Sequence, residues 1–208
     1  MKWLIVLILF YSAYSQNNPC LDFSFESQKK LTDFFANNPH FEKPFYLSKN
    51  ELFSIVAPEY LTYSTQKNEL EVVIVKSNLF VDNKALDLSF GPFQMKLSFI
   101  LETINNTPQK IINHPILLKL KKGKKVTSLV IDSLNKIETQ WEILRFFEYC
   151  NKKNYAIYSL NGLYSIYNRG TINKKKSTFK KIECKNKSYE DWCEEFLKLL
   201  DQKIGKSK

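Results

Sequence analysis

Glu59 is the residue of this chain best placed for acid–base chemistry. It follows Leu52, Ile55 and Val56 at the i, i+3, i+4, i+7 spacing of a helical stripe, so its carboxyl group continues an apolar face. Desolvation on such a face raises the pKa of a carboxyl group towards neutrality, as a general acid that works near pH 7 requires. Glu71 is the alternative acid, and a Glu59 turned to solvent at a helix end would have no such role.

Two short segments further along the chain combine polar side chains with a glycine. Residues 89–95 read Ser-Phe-Gly-Pro-Phe-Gln-Met, and residues 166–170 read Ile-Tyr-Asn-Arg-Gly. The sequence has no GxSxG elbow, Walker A loop, GxGxxG or HExxH motif. Common serine hydrolases, P-loop NTPases, dinucleotide enzymes and zincins are therefore disfavoured, and we expect no cofactor.

Taken in order, these three features resemble the soluble lytic transglycosylase and goose-type lysozyme superfamily, whose members cleave the glycan strands of peptidoglycan. Glu59 resembles the family's catalytic Glu, which ends a buried helix. Residues 91–95 are similar to its Gly-Leu-Met-Gln-like segment, and residues 167–170 to its Ala-Tyr-Asn-Ala-Gly-like segment. The resemblance spans roughly residues 48 to 170, which is most of the chain.

The resemblance implies a role for each matching residue. Glu59 would act as acid and then base on the linkage between N-acetylmuramic acid and N-acetylglucosamine. Gln94 and Asn168, whose amides both donate and accept hydrogen bonds, would hold the sugar's N-acetyl and hydroxyl groups. Gly91 would belong to the same substrate-binding segment, and the Tyr167 hydroxyl would orient Glu59.

The chain departs from the family pattern at two points. Tyr60 stands where the family normally has Ser after the catalytic Glu, and the stretch between Glu59 and Gln94 is longer than usual. An insertion explains the length, or Glu71 is the acid. A non-catalytic glycan-binding module on the same fold, or a structural or inhibitory secreted protein, is therefore the alternative to an enzyme.

The reaction type also stays open. A lysozyme-type hydrolase often uses a second carboxylate, for which Asp87 and Asp82 are candidates, although Asp87 in a turn or at a strand edge needs no catalytic role. In lytic transglycosylases a single Glu suffices, because the resemblance implies that the sugar's own 6-hydroxyl attacks C1 and gives a 1,6-anhydro product.

The net charge of +10 comes from 31 basic and 21 acidic residues, and only Arg145 and Arg169 are arginines. Proteins that read nucleic acids usually rely on arginine for bidentate contacts, so we expect no nucleic-acid partner. Most of the lysines are expected to be solvated surface residues. The positive charge also agrees with an anionic partner, here the glycan strands of peptidoglycan.

Residues 1–15 have the pattern of a signal peptide: Lys2, an apolar run over 3–11, and small residues at Ala13 and Ser15. The apolar run is too short for a membrane span, so we expect no stable membrane insertion after cleavage. The sequence predicts a secreted or periplasmic protein in which residues 16–208 form a single lysozyme-like domain and a monomer.

Cysteine usage agrees with export. An even number of cysteines in an oxidising compartment favours disulfides, with the two cysteines nearest the chain end joined to either of the others, although four buried thiols are the alternative. Only His40 and His114 are available as further soft ligands, and neither is near a cysteine, so no metal site is expected. The cysteines are Cys20, Cys150, Cys184 and Cys193.

The hydrophobic patterning predicts a mainly α, lysozyme-like α+β fold: a helical bundle around one long core helix, with a small strand or hairpin near the active-site cleft. Ser48 with Glu51, and Ser188 with Asp191, are predicted to cap helices. Pro58 is expected to bend or stop a helix just before Glu59. Residues 67–80 fit a helical face, although residues 72–75 also have strand propensity, and we favour a helix there. The other predicted helices span 27–36, 48–57, 92–105, 130–147, 155–167 and 188–200, with strand or hairpin structure at 81–91 and a lysine-rich loop at 119–125.

Overall fold

The computed structural model describes residues 24–82, 86–154, 159–169 and 187–205. These residues form ten α-helices, one 3-10 turn and a two-stranded hairpin, so the prediction of a mainly helical protein is confirmed. In chain order the elements are α1 (Phe25–Asn37), α2 (Lys49–Ser54), α3 (Ala57–Thr62), α4 (Thr65–Asp82), β1 (Ser89–Phe90), β2 (Met95–Lys96), α5 (Leu97–Asn106), the 3-10 turn (Gln109–Ile111), α6 (Pro115–Lys121), α7 (Ser128–Leu134), α8 (Ile137–Asn154), α9 (Leu160–Arg169) and α10 (Tyr189–Lys203).

Both predicted capping boxes are confirmed. The Ser48 side chain accepts the Glu51 backbone N–H at the start of α2, and the Glu51 carboxylate accepts the Ser48 N–H in return. Ser188 and Asp191 make the same exchange at the start of α10. Each box satisfies two backbone donors that a helix start otherwise leaves without a partner.

The helix predicted from residue 92 starts later than expected. Ser89 pairs with Lys96 and Phe90 with Met95 in an antiparallel hairpin, and residues 91–94 form its turn. Helix α5 therefore begins at Leu97. The prediction was wrong at this end because the apolar residues of the turn are buried by tertiary packing, which local periodicity does not distinguish from a helical face.

The long apolar stripe over residues 130–147 is split between two helices. Helix α7 ends at Leu134, and the chain turns through Asn135 and Lys136 before α8 begins at Ile137. Gln140 donates its side-chain N–H to the Leu134 carbonyl oxygen at 3.2 Å, which satisfies one of the acceptors exposed at the end of α7. The long core helix is thus α8 alone.

Two other predictions need adjustment. Lys119 and Lys121 lie in α6 rather than in a loop, and only the residues that follow form a turn. The helix predicted from residue 155 is described from Leu160 onwards, because residues 155–158 and Gly170 lie outside the described part of the chain.

The core is rich in aromatic side chains. The Phe34 ring of α1 stacks on Phe53 of α2 with centroids 3.8 Å apart, and Phe41 stacks on Trp141 of α8 at 5.1 Å. Helix α8 packs against α2, α5 and α7, while α10 covers α1, α2, α3 and α9. These contacts bring the α2–α3 junction, the hairpin and α9 together around one interior.

Cys150 and Cys193 are both buried free thiols. The expected disulfides of Cys150 and Cys193 are therefore not observed. The predicted signal peptide, Cys20 and Cys184 lie outside the described residues, so a disulfide between these two cysteines stays a prediction. Among the described helices, none is both long and apolar enough to cross a membrane.

Candidate functional site

The position of Glu59 follows from a break between two short helices. Helix α2 ends at Ser54, the chain turns through Ile55 and Val56, and α3 starts at Ala57 with Pro58 in its first turn. A proline is tolerated there because the first backbone N–H groups of a helix have no intrahelical partner. The expected interruption of the helix before Glu59 is present, but it falls at Ile55 and Val56, and Glu59 lies in the first turn of α3 rather than at the end of a buried helix.

The surroundings of Glu59 raise the pKa of its carboxyl group to about 7, mainly because burial disfavours the charged form. The charge of Glu71 raises that pKa further, and the ammonium group of Lys67 lowers it. Within the part of the chain that the structure describes, the Glu59 carboxylate accepts no hydrogen bond that would stabilise its ionised form. Glu59 is therefore a partly exposed carboxyl group that titrates near neutral pH.

Glu71 is the second carboxyl group of this environment. It lies on α4 with 1% of its surface exposed, and its charge acts on Glu59. Glu59 and Glu71, the two candidates for the acid, thus interact electrostatically, and Glu59 is the more accessible of the two.

Asp87 has a different set of contacts. Its Oδ1 accepts the Ser98 backbone N–H and its Oδ2 accepts the Ser98 hydroxyl, both at 2.8 Å. Lys96, the residue at the N-cap position of α5, offers no side-chain cap of its own. The Asp87 carboxylate therefore supplies the cap that α5 would otherwise lack.

The hairpin turn at residues 91–94 is held by side chains from three helices. Asn68 of α4 accepts the Gly91 N–H at 2.5 Å, and Gln140 of α8 accepts the Phe93 N–H at 2.8 Å. The Tyr167 hydroxyl of α9 donates to the Phe93 carbonyl oxygen. Because its backbone groups are bonded to three separate helices, the turn is fixed relative to the interior.

Gly91 is required at the start of this turn. Its φ of +79° lies in the left-handed region, and a Cβ atom there would come within 1.9 Å of the Gln140 Nε2. That same amide nitrogen donates to the Phe90 carbonyl oxygen at 2.7 Å, so it has little freedom to move away.

Gln94 closes the turn in a conformation that is rare for a residue with a side chain, at φ 50°. Its backbone N–H and its Nε2 both donate to the Gly91 carbonyl oxygen, at 2.9 and 3.0 Å. The side chain is partly exposed. The turn therefore presents the Gln94 amide at a defined position with its carbonyl oxygen still able to accept.

The Tyr167 hydroxyl, predicted to orient Glu59, donates its proton to the Phe93 carbonyl oxygen and, among the described residues, makes no hydrogen bond with Glu59. Burial raises the pKa of its hydroxyl well above the usual value, and the charge of Glu59 raises it further. The same charge acts on Tyr189 and Cys193 of α10. The charge of Glu59 thus reaches Tyr167, and Asn168, the next residue on α9, is partly buried.

Tyr60, the residue that replaces the family's Ser, is a packing residue. Its ring contacts Phe34, Phe53 and Phe93 with centroid distances of 5.1, 5.4 and 6.3 Å. The Lys30 ammonium lies 4.7 Å from the ring centroid and donates to the Tyr60 carbonyl oxygen at 2.8 Å. Tyr60 thus joins α3 to both α1 and the hairpin turn.

Sequence reasoning missed Asn68 and Gln140, which fix the turn. Both are almost fully buried, at 3% and 0% exposure. The signal for Gln140 is its place beside Trp141 near the start of the apolar α8, where a buried amide needs several partners. Asn68 has no comparable signal, since it stands among polar residues in the first turns of α4.

A shallow depression of about 590 Å³ lies elsewhere, between α1 and α10, and none of the predicted site residues lines it. Among the described residues, no group of three or more His, Cys, Asp or Glu side chains is arranged to hold a metal ion. No protein-family model, no curated protein and no solved structure matches this chain.

Proposed function

We propose that this protein is a secreted, lysozyme-like enzyme that cleaves peptidoglycan between N-acetylmuramic acid and N-acetylglucosamine, with Glu59 as its acid and base. The observation that carries the proposal is that Tyr60, which follows Glu59 on α3, and Tyr167 of α9 both contact Phe93 in the hairpin turn, although these segments are far apart in the sequence. Contacts around Phe93 thus join segments from all three motifs, and this supports the proposal because the groups of an active site must converge.

Glu59 would begin the reaction by giving its proton to the glycosidic oxygen while the bond from that oxygen to C1 breaks. Protonation is needed because a sugar alkoxide is a poor leaving group. With a pKa of about 7, roughly half of the Glu59 carboxyl groups carry the proton at pH 7, so both the acid and its conjugate base are available there. The carboxylate formed would then remove a proton from the hydroxyl that attacks C1.

We favour transglycosylation over hydrolysis. Asp87, a candidate second carboxylate, is engaged with Ser98 at the start of α5, and Glu71 is almost fully buried. Glu59 is therefore more accessible than Glu71 and, unlike Asp87, accepts no hydrogen bond on its carboxylate among the described residues. A single carboxyl group is sufficient when the attacking oxygen is the sugar's own 6-hydroxyl, which leaves a 1,6-anhydro product.

Digestion of purified peptidoglycan, with products separated by mass spectrometry, tests the proposal. We expect the wild type to release 1,6-anhydro-muropeptides, and Glu59→Gln to lower the rate by about 10²- to 10⁴-fold, the usual contribution of a general acid. Glu69→Gln is the matched control, because it removes an exposed carboxylate from α4 and should leave the rate unchanged.

Other products would change the proposal in defined ways. Reducing-end products would show hydrolysis and would direct attention back to Asp87. An active wild type matched by Glu59→Gln would make Glu71 the acid. No release by any variant across a range of pH would favour a non-catalytic glycan-binding module.

A further inference from the structure

A second surface of the molecule presents aromatic rings to solvent on a rigid base. The backbone N–H groups of Phe45, Tyr46 and Leu47 all donate to the carboxylate of Glu148, which is fully buried on α8. Three charge-assisted hydrogen bonds to one carboxylate fix this segment before any ligand arrives. Binding to it would therefore cost little conformational entropy.

The rings of this segment meet Tyr149, also on α8. Phe45 lies 5.1 Å from the Tyr149 ring in an edge-to-face arrangement, and Tyr46 stacks on it at 6.1 Å with planes 25° apart. Tyr46 is 54% exposed and Phe45 36% exposed, while Tyr149 is half-buried. We call these three residues the aromatic platform.

Two positively charged side chains lie at the aromatic platform, and among the described residues only one of them pairs with carboxylates. Arg145 lies 4.9 Å from the Phe45 ring centroid, and Glu42 and Glu142 pair with its guanidinium group. Lys153 is exposed, and its ammonium donates to the Tyr149 hydroxyl at 3.0 Å. The base of the platform is thus charge-compensated, while an amine lies at its edge.

We propose that the aromatic platform is a second glycan-binding surface, on which pyranose rings of the polymer stack while Lys153 contacts their hydroxyl or carboxylate groups. This inference rests on the proposed function for the choice of ligand. The C–H groups on one face of a pyranose suit the electron-rich face of an aromatic ring. The surface shares no residue with the Glu59 site, so it would hold the polymer without taking part in cleavage.

The size of the aromatic platform favours a sugar over a protein partner. A wholly buried aromatic side chain contributes about 150–250 Å², and the platform consists of two partly exposed rings and one half-buried ring. A stable protein interface needs roughly 800 Å² from each partner. The exposed area matches a few sugar rings far better than a protein surface.

Sedimentation with insoluble peptidoglycan tests the inference. The full chain carrying Glu59→Gln is used so that the polymer is not consumed. We expect Tyr46→Ala in that background to weaken binding about fivefold, the loss typical of one stacking contact. Tyr46→Phe should restore binding, because the ring and not the hydroxyl makes the stack.

Phe80→Ala is the matched control, since Phe80 is 90% exposed on α4 and outside the platform. It should bind like the parent. Circular dichroism and thermal unfolding of each variant confirm that the fold is kept, which is expected because Tyr46 is an exposed side chain. Equal binding by Tyr46→Ala and its parent, or a parent that does not bind the polymer, overturns the inference.

Two further readouts separate this inference from the proposed function. With Glu59 intact, Tyr46→Ala should cleave a short, soluble peptidoglycan fragment at the wild-type rate while it cleaves the insoluble polymer more slowly. If no variant cleaves but binding depends on Tyr46, the aromatic platform stands and the enzyme proposal fails. If Tyr46→Ala instead changes the oligomeric state in analytical ultracentrifugation, the platform is a self-association surface and the inference fails.

Discussion

Glu148 and Glu59 differ in the burial of their carboxyl groups and in the number of hydrogen-bond donors around them. Glu148 is fully buried, accepts three backbone N–H groups and lies near Arg145. Glu59 is partly exposed and, among the described residues, receives no hydrogen bond on its carboxylate. Burial raises the pKa of both groups, but the three N–H donors and Arg145 oppose the rise at Glu148.

Glu148 thus has the surroundings of a carboxylate that stabilises the fold, and Glu59 those of a carboxyl group that can exchange a proton. A buried carboxylate that is supplied with donors anchors the chain, and removing it leaves those donors without a partner. A carboxyl group whose burial is not opposed by donors has a raised pKa, and replacing it by an amide leaves no backbone donor without a partner. The number of donors around each carboxyl group therefore indicates which role it has.

The largest expected effect is on stability at Glu148. Glu148→Ala leaves three backbone N–H groups without their acceptor and should lower the free energy of unfolding by about 3–5 kcal/mol. Urea denaturation measures the loss. Glu42→Ala, which removes an exposed partner of Arg145, should cost less than about 1 kcal/mol. If Glu148→Ala lowered the free energy of unfolding no more than Glu42→Ala does, the Glu148 carboxylate would not be the anchor of residues 45–47.

The second largest effect on stability is expected in the hairpin turn of residues 91–94. Gly91→Ala introduces a Cβ atom into the Gln140 amide and should destabilise the protein by about 2–4 kcal/mol. Gly123→Ala is matched to it, because Gly123 has a similar φ of +74° with nothing within 4 Å, and should cost only about 1 kcal/mol. Equal losses for the two variants would mean that Gln140 does not hold the turn.

The raised pKa of Glu59 predicts a pH dependence of the free energy of unfolding. Because the folded-state pKa is raised from 4.5 to about 7, the folded protein binds this proton more tightly than the unfolded chain. The free energy of unfolding should therefore fall as the pH rises from about 4.5 to about 7, by roughly 2 kcal/mol after allowance for partial exposure. Glu59→Gln should lack this fall.

Urea denaturation of both proteins between pH 4 and pH 8 measures the difference. The wild-type and Glu59→Gln values should separate through this interval, with the variant more stable above pH 7. Parallel pH profiles would contradict a raised pKa at Glu59, since all other titrating groups are shared by the two proteins.

The smallest effect is expected at Asp87, a carboxylate of the structural kind. Asp87→Ala removes the cap of α5 and should cost about 1 kcal/mol, measured by urea denaturation, with no loss in the rate of peptidoglycan digestion. A folded Asp87→Ala variant that no longer digests peptidoglycan would instead make Asp87 part of the site and hydrolysis the reaction.

Local signals predicted the helices that depend on neighbours in the sequence. The capping boxes at Ser48 and Ser188 satisfy their own helix starts, and Pro58 restricts the adjacent backbone, so short stretches suffice. The helical interpretation of residues 67–80 is confirmed by α4. In contrast, the hairpin at residues 89–96 depends on Asn68, Gln140 and Tyr167, which no local window contains.

The same limit applies to the candidate site. Glu59 was identifiable because a carboxylate on an apolar stripe is a local pattern. Glu148 gave no such signal, since its three donors are about a hundred positions away in the sequence. The neighbourhood of Glu59 and Glu71 likewise depends on how α3 packs near α4, which the sequence pattern did not specify.

The most direct test of this account is the titration of the Glu59 side chain itself. Carbon-13 NMR of protein labelled at the glutamate carboxyl groups follows each carboxyl with pH, and the signal missing from Glu59→Gln assigns the resonance. We expect the titration midpoint of the Glu59 carboxyl group at a pH of about 7. A midpoint near 4.5, the ordinary value for a solvated glutamate, would contradict it.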